Sequence, residues 1–223
     1  MKKVLITGAT SGIGLAISKK MLDMGYSVYG VGRDFSKIDI ASSNFYPIIC
    51  DLIKYQNIED MIKKLKKEVD IDILINCAGV GYFGPHEEIN PTKLHKMIAL
   101  NLEALLRDLK KRKGTVINIS SITATKASTY GCAYSATKAG LVHFSKGLFD
   151  EVRKTGVKVI SILPDITKTP FYDELNFREG EEEESYILPE CVADAVENIL
   201  SQREGTVITE IILQPQKHII RKK

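Results

Sequence analysis

Residues 6–16 read ITGATSGIGLA, with glycines at positions 8, 12 and 14 directly after an apolar run. That run, VLIT at residues 4–7, predicts a buried strand, and apolar residues recur on one helical face through residues 13–24. Gly25 follows at a position where helices often end in a left-handed residue. The stretch therefore predicts a strand, a glycine-rich turn and a helix, with a turn that lets another group approach the main chain closely.

The same alternation continues along the chain. Further strands are predicted at residues 26–32, 46–50, 71–76, 115–120, 157–163 and 206–213, and helices at 57–68, 91–111, 133–155 and 189–203. Strict alternation implies parallel strands joined by crossover helices. The predicted fold class is α/β, a doubly wound Rossmann-type sheet of about seven parallel strands with helices on both faces. We expect residues 1–223 to form a single domain, and the acidic run REGEEEES at 178–185 is interpreted as a mobile loop.

In such a sheet, the first strand-to-helix turn borders the crevice where ligands bind. Gly8, Gly12 and Gly14 would let the main chain approach a diphosphate, and the following helix would offer it free N–H groups and a positive dipole end. The spacing Gly-x-x-x-Gly-x-Gly differs from the more familiar Gly-x-Gly-x-x-Gly. A glycine-rich turn without a ligand is therefore the alternative.

The composition restricts partners and compartment. The 31 basic and 28 acidic side chains are spread along the chain, so no overall charge indicates nucleic acid as a partner. The 4 cysteines are scattered and the 4 histidines isolated, which predicts reduced thiols and no metal site. No apolar run suits a signal peptide or a membrane span. We therefore expect a cytoplasmic protein without membrane or nucleic-acid partners.

The stretch SSITATKASTYGCAYSATKAG at 120–140 contains a candidate reacting centre. Tyr134 and Lys138 are four residues apart on a predicted helix, so both side chains project from one face. A nearby ammonium lowers the pKa of a phenol, which makes it a usable acid and base. Ser121, after the preceding strand, could hold a substrate oxygen. Taken singly, an exposed Tyr/Lys pair and a helix-capping serine are ordinary alternatives.

Together, these motifs resemble the short-chain dehydrogenase/reductase family. The resemblance runs through Thr7-Gly8-x-x-x-Gly12-x-Gly14, NCAG at 76–79, Asn101, Ser121, Tyr134-x-x-x-Lys138 and PDITKTP at 164–170. It implies an oxidoreductase with Asn101, Ser121, Tyr134 and Lys138 as catalytic tetrad. Tyr134 then exchanges the proton, Ser121 orients the carbonyl or alcohol, Lys138 binds the nicotinamide ribose, and Asn101 holds a water of the proton relay.

The resemblance also implies which residues contact a nicotinamide dinucleotide. These are Thr7, Gly8, Ser11, Gly12, Ile13, Gly14, Asp51, Leu52, Asn76, Ala78, Gly79, Tyr134, Lys138, Pro164 and Thr169.

The end of the second strand bears on the choice of cofactor. A carboxylate there binds the ribose 2′-hydroxyl of NAD and repels the 2′-phosphate of NADP. Gly32 occupies that place, and Arg33 beside it offers a fork suited to phosphate. We therefore predict NADP(H). Asp34 is the counter-indication, since a one-residue error in the predicted strand end would make it the ribose ligand and favour NAD(H).

Three departures from the family pattern affect these expectations. The segment from Asn101 to Ser121 is short, which predicts a truncated helix and bears on the expected homodimer or homotetramer. Pro164 is followed by Asp165 where the family has glycine, so a carboxylate is expected near the nicotinamide. The substrate-covering segment 170–189 is brief and acidic.

The predicted reaction is hydride transfer between nicotinamide and a small carbonyl or alcohol, either a short hydroxy acid or a 3-oxoacyl compound. The chain end TEIILQPQKHIIRKK favours the hydroxy-acid subgroup by resemblance. The alternative function is a non-catalytic NADP-binding sensor or scaffold. Loss of catalysis would show first at Tyr134 or Lys138, and both are present.

Overall fold

The computed structural model describes residues 1–103 and 113–223. The strands are β1 (Lys3–Thr7), β2 (Ser27–Gly32), β3 (Phe45–Ile49), β4 (Ile73–Asn76), β5 (Thr115–Ile119), β6 (Lys158–Pro164), β7 (Phe177–Glu179), β8 (Glu210–Leu213) and β9 (Ile220–Lys222). The α-helices are α1 (Gly12–Asp23), α2 (Tyr55–Glu68), α3 (Pro91–Ile98), α4 (Cys132–Val152) and α5 (Pro189–Leu200).

Within the described residues, seven strands form one parallel sheet in the order β3-β2-β1-β4-β5-β6-β8. The order reverses between β1 and β4, which opens a crevice at the carboxyl ends of the strands. The predicted doubly wound α/β class is confirmed.

Each face of the sheet has its own apolar layer, because alternate side chains of a strand point to opposite faces. On one face, Val4 and Ile6 of β1 belong to a cluster with residues of α1 and α5. On the other, Leu5 belongs to a cluster with residues of α2 and α4. The sheet is therefore covered by helices on both faces, as predicted.

Two predicted elements differ from the structure. The predicted strand 206–213 is reduced to Glu210–Leu213, because its pairing with β6 begins where Glu210 faces Ser161. Within the described part of the predicted helix 91–111, Pro91–Ile98 are α-helical and Ala99–Glu103 form a π-helical turn. Most of the truncated helix predicted between Asn101 and Ser121 lies outside the described residues.

The run 178–185, predicted as a mobile loop, contains regular structure, and its mobility stays a prediction. Part of this run lies in β7, which pairs antiparallel with β9. Strand β9 belongs to residues 214–223, the C-terminal segment. Glu183–Ser185 form a 3₁₀ turn. Basic side chains of the C-terminal segment neutralise the acidic run: Lys217 pairs with Glu182 and Glu184, and Arg221 pairs with Glu181. The partner strand is remote in sequence, so local composition did not reveal it.

Across residues 1–103 and 113–223, no helix combines the length and apolar character needed to cross a membrane. The same residues contain no cluster of three or more His, Cys, Asp or Glu able to hold a metal ion. All four cysteines carry free thiols.

Candidate active site

The carboxyl ends of β1, β4, β5 and β6 open into a cavity of about 1380 Å³. The glycine turn and the end of β2 line one part, and Ser121, Tyr134 and Lys138 line another. The topology thus brings the two candidate regions of the sequence to one cavity.

Close packing of the backbone requires glycine at two positions of the turn. Gly8 has φ +70°, and a Cβ added there would lie 3.0 Å from main-chain atoms of Ala78. A Cβ on Gly14 would lie 2.1 Å from the carbonyl oxygen of Gly8. Ser11 makes no side-chain hydrogen bond as the cap of α1. The first N–H groups of α1, beside the cavity, thus lack a side-chain acceptor and suit an anion.

Thr7 and Asn76 lie beneath the cavity and do not line it. The Thr7 hydroxyl accepts hydrogen bonds from the amides of Cys77 and Ala78, at 3.0 and 3.1 Å. Asn76 Nδ2 donates to Asn118 Oδ1 at 2.8 Å. Both side chains therefore tie strand ends together and position Ala78 and Gly79, which do line the cavity.

Tyr134 and Lys138 lie in the first part of α4, both more than nine-tenths buried. Lys138 Nζ lies 5.8 Å from the centroid of the Tyr134 ring and donates to the Ile119 carbonyl at 3.1 Å. Ser121 caps the 3₁₀ turn Ile122–Ala124, accepting from the Thr123 amide at 3.2 Å and the Thr123 hydroxyl at 3.1 Å. The serine is thus both a cap and a cavity-lining group.

Burial governs the titration of this pair. Burial raises the pKa of Tyr134 to about 12, against an opposing hydrogen bond with Ser121. Burial also lowers the pKa of Lys138 to about 8, although the nearby Cys77 opposes the shift. The expected lowering of the phenol pKa is therefore not found here, because desolvation of the phenolate is the largest effect. Near neutral pH, the phenol retains its proton and the lysine is mostly charged.

The lowered pKa of Lys138 predicts a pH-dependent stability. The folded-state pKa lies below the ordinary lysine value of 10.5, so from about pH 8 upward the unfolded chain binds more protons at this group and the contribution of Lys138 to stability rises with pH. Burial raises the pKa of the Cys77 thiol to about 12, so Cys77 contributes the opposite slope above about pH 9. Lys138→Met should therefore remove a rise of about 1 kcal/mol between about pH 8 and pH 9. Urea unfolding at two pH values in that window measures the slope. Lys146→Met, an exposed lysine of the same helix, should leave the slope unchanged, and an unchanged slope in Lys138→Met would contradict the prediction.

Aromatic side chains enclose Tyr134. Its ring centroid lies 5.2 Å from that of Phe83 and 5.8 Å from that of Phe171. Phe83 also contacts Phe177 of β7, with centroids 5.1 Å apart. These rings form an apolar wall beside the phenol and restrict the access of water.

Asn101 is buried in the π-helical turn and is not among the cavity-lining residues. Its Oδ1 accepts from the Val80 amide, and its Nδ2 donates to the Val80 carbonyl and to the Thr137 hydroxyl, all at 3.0 Å. The carboxamide therefore fixes the loop after β4 against α4. Its part in a proton relay stays a prediction.

The other end of the cavity lies at the ends of β2 and β3. Arg33, Asp51 and Leu52 line it. A Cβ on Gly32 would lie only 2.2 Å from Thr10 Cγ2, so a side chain at position 32 would require Thr10 to move. Asp34 is outside the lining, because its carboxylate accepts from the Ser36 amide at 2.8 Å.

The segment after β6 closes the cavity. Pro164 and Thr169 line it, and the Thr169 side chain lies 3.1 Å from where a Cβ on Gly12 would sit. Asp165 also lines the cavity, and its carboxylate contacts Lys126 and His218; its nearness to the nicotinamide stays a prediction.

Among the cavity residues that were not predicted from the sequence are Thr10, the aromatic wall and His218. Thr10 lies inside the glycine turn and could have been found there. His218 gives no local signal, because its partner Asp165 is remote in sequence.

Comparison with known proteins gives matches over most of the chain. A family model described as short chain dehydrogenase matches residues 2–180. An uncharacterized oxidoreductase of Staphylococcus epidermidis is 31% identical over 227 residues, covering 96% of this chain and 97% of that protein. Serine 3-dehydrogenase of Agrobacterium fabrum is 33% identical over 181 residues, covering 75% and 73%. The structure of an alcohol dehydrogenase from the archaeon Thermococcus sibiricus, complexed with 5-hydroxy-NADP, has a TM-score of 0.85 and 26% identity, covering 96% of this chain and 97% of that one.

Proposed function

Since the chain belongs to the short-chain dehydrogenase family, we propose that it is an NADP-dependent oxidoreductase acting on a small carbonyl/alcohol pair. The observation that carries this proposal is the buried Tyr134–Lys138 pair, which opens onto the same cavity as the glycine turn.

The residues present fit a nicotinamide dinucleotide. The glycine turn leaves no Cβ between the main chain and the cavity at Gly8, Gly12 and Gly14, and the N-terminus of α1 suits a diphosphate. When bound, the cofactor supplies or accepts the hydride. The chain's own residues must then bind it, orient the substrate and handle the proton.

Tyr134 is the proposed proton donor in reduction. Its high pKa keeps the phenol protonated at neutral pH, so it can donate to a carbonyl oxygen as negative charge develops there. The Ser121 oxygen already accepts two hydrogen bonds from Thr123. Its own hydrogen is therefore the remaining donor: it contacts the Tyr134 oxygen in this structure and would turn to the same substrate oxygen when substrate binds.

Lys138 supports the phenol electrostatically. One of its ammonium hydrogens is held by the Ile119 carbonyl, which leaves two donors for the cofactor ribose and the proton path. The positive charge of Lys138 stabilises a negatively charged tyrosinate. Because the tyrosinate is the product of proton transfer, the charge favours that transfer.

Arg33 supports the preference for NADP(H). It lines the cavity directly after β2, Gly32 carries no ribose-binding carboxylate, and the Asp34 carboxylate accepts a hydrogen bond within its own turn. The similar Thermococcus enzyme was solved with an NADP derivative.

Arg33→Ala tests this preference. Loss of charge-assisted bonds to the 2′-phosphate should weaken NADPH binding by about 10- to 100-fold, because such bonds contribute about 1.5–3 kcal/mol. NADH binding should change by less than about threefold. Fluorescence titration with each cofactor measures both affinities, with Arg203→Ala, an exposed arginine outside the cavity, as control. Equal losses for the two cofactors, or tighter NADH binding by the wild type, would contradict the NADP assignment.

The proposed substrates are small hydroxy acids or 3-oxoacyl compounds and their carbonyl partners. Similarity to serine 3-dehydrogenase favours the hydroxy acids. A screen of ketones, aldehydes and hydroxy acids, followed by nicotinamide absorbance, tests the function directly. Cofactor binding without turnover of any compound would favour the sensor or scaffold alternative. We also infer a homodimer or homotetramer, which light scattering after size-exclusion chromatography can test.

A further inference from the structure

Asp165 lies at the carboxyl end of β6, directly after the cavity-lining Pro164. Its side chain is only 4% exposed. Burial of a carboxylate lowers the stability of a protein unless the group is paired and hydrogen-bonded.

Both carboxylate oxygens are engaged. Oδ1 accepts from the Ile166 amide at 2.8 Å. Oδ2 lies 3.3 Å from His218 Nδ1, 3.5 Å from Lys126 Nζ and 3.5 Å from Gln214 Nε2. Two of these three partners, His218 and Gln214, belong to the C-terminal segment, residues 214–223. The Asp165 amide also donates to the carbonyl of Leu213, just before that segment, at 2.9 Å.

The C-terminal segment is attached at a second place. Its strand β9 pairs with β7, and the Lys223 amide donates to the Asn176 carbonyl at 3.0 Å. The ion pairs of Lys217 and Arg221 along this contact are between substantially exposed groups. Such pairs contribute little, so Asp165 is the buried one among the charged side chains that pair with this segment, beside the backbone hydrogen bonds of β9.

This arrangement places the C-terminal segment in the cavity wall. His218, Ile220 and Lys222 line the same cavity as Tyr134. Behind β9 lies β7, whose Phe177 contacts Phe83, which contacts Tyr134. A shift of the segment would therefore change the wall next to the reacting centre.

We propose that Asp165 is a positioning residue that holds the C-terminal segment in place as a wall of the substrate site. Asp165 acts through His218 and Gln214 and does not itself touch the reacting atoms. The substrate part of this inference rests on the proposed oxidoreductase function, whereas the attachment itself does not.

Asp165→Asn is the test variant, because the amide keeps the shape and the Oδ1 acceptor for Ile166 but removes the charge. Hydrogen exchange followed by mass spectrometry should show at least about tenfold faster exchange of amides in residues 214–223, and unchanged exchange in β1. His218→Ala should loosen the same segment while leaving the buried carboxylate and its Lys126 contact intact. Glu184→Gln, which removes an exposed partner of Lys217 on the same segment, is the matched control and should have little effect.

Steady-state kinetics with the best substrate from the screen test whether the C-terminal segment forms a wall of the substrate site. Asp165→Asn should raise KM for the carbonyl substrate by about tenfold, with kcat and NADPH affinity changed by less than about threefold. Unchanged exchange in residues 214–223 would overturn the attachment, and faster exchange with an unchanged KM would overturn the substrate wall. If the wild type reduced no carbonyl compound, the proposed function would fail, and the exchange pattern would still decide whether Asp165 holds the segment.

Discussion

Tyr134→Phe is expected to lower the rate of carbonyl reduction by about 10²- to 10⁴-fold, the usual contribution of a positioned general acid. The substitution removes one hydroxyl and keeps the ring, which packs between Phe83 and Phe171. Stability and NADPH affinity should therefore be nearly unchanged. The loss should appear in kcat and in kcat/KM together, because the proton is transferred only in the transition state.

Steady-state rates and an NADPH fluorescence titration check this expectation. Tyr55→Phe is the matched control, since Tyr55 at the start of α2 is 69% exposed and outside the cavity lining. A Tyr134→Phe enzyme with wild-type turnover would remove the phenol from the mechanism. A variant that no longer bound NADPH would instead indicate that the hydroxyl holds the cofactor site together.

Gly14→Ala is expected to lower the free energy of unfolding by about 3 kcal/mol or more, because overpacking costs increase when backbone must move. The added methyl would lie 2.1 Å from the Gly8 carbonyl oxygen and 2.7 Å from its carbon. Neither atom can give way as a flexible side chain could. Since the same shift would displace the turn from the cavity, NADPH affinity should fall as well.

Gly147→Ala provides the matched control for Gly14→Ala. Gly147 also lies in a helix, α4, and an added Cβ meets nothing within 4 Å. This substitution should stabilise the protein by about 0.5–1 kcal/mol, because alanine has the higher helix propensity. Urea unfolding of both variants gives the comparison. Equal effects of the two substitutions would mean that the close approach of Gly14 to Gly8 is relieved at little cost.

Much of the architecture follows from neighbouring residues. The apolar run before Gly8 and the periodic pattern after Gly14 predicted β1 and α1 because strand and helix repeats are local properties. Helical geometry likewise predicted that Tyr134 and Lys138 share one face. The glycine turn was predictable because positive φ and close packing leave little choice of residue.

The roles of several predicted site residues depend on contacts between distant segments. Thr7 and Asn76 belong to motifs of the cofactor site, yet both bind the ends of other strands from below the cavity. Asn101 is engaged by Val80 and Thr137. Sequence spacing shows that such residues lie near the site, but only packing determines which of their atoms remain free.

The sequence by itself determined the doubly wound sheet, the glycine turn and the Tyr134–Lys138 pair, since repeat patterns and backbone stereochemistry are set by residues close in the chain. Only the tertiary structure decided the protonation of Tyr134, the pairing of β7 with β9, and the contact of Asp165 with His218. The physical reason is that desolvation and charge pairing depend on which remote segments surround a group, and those segments meet only after the chain has folded.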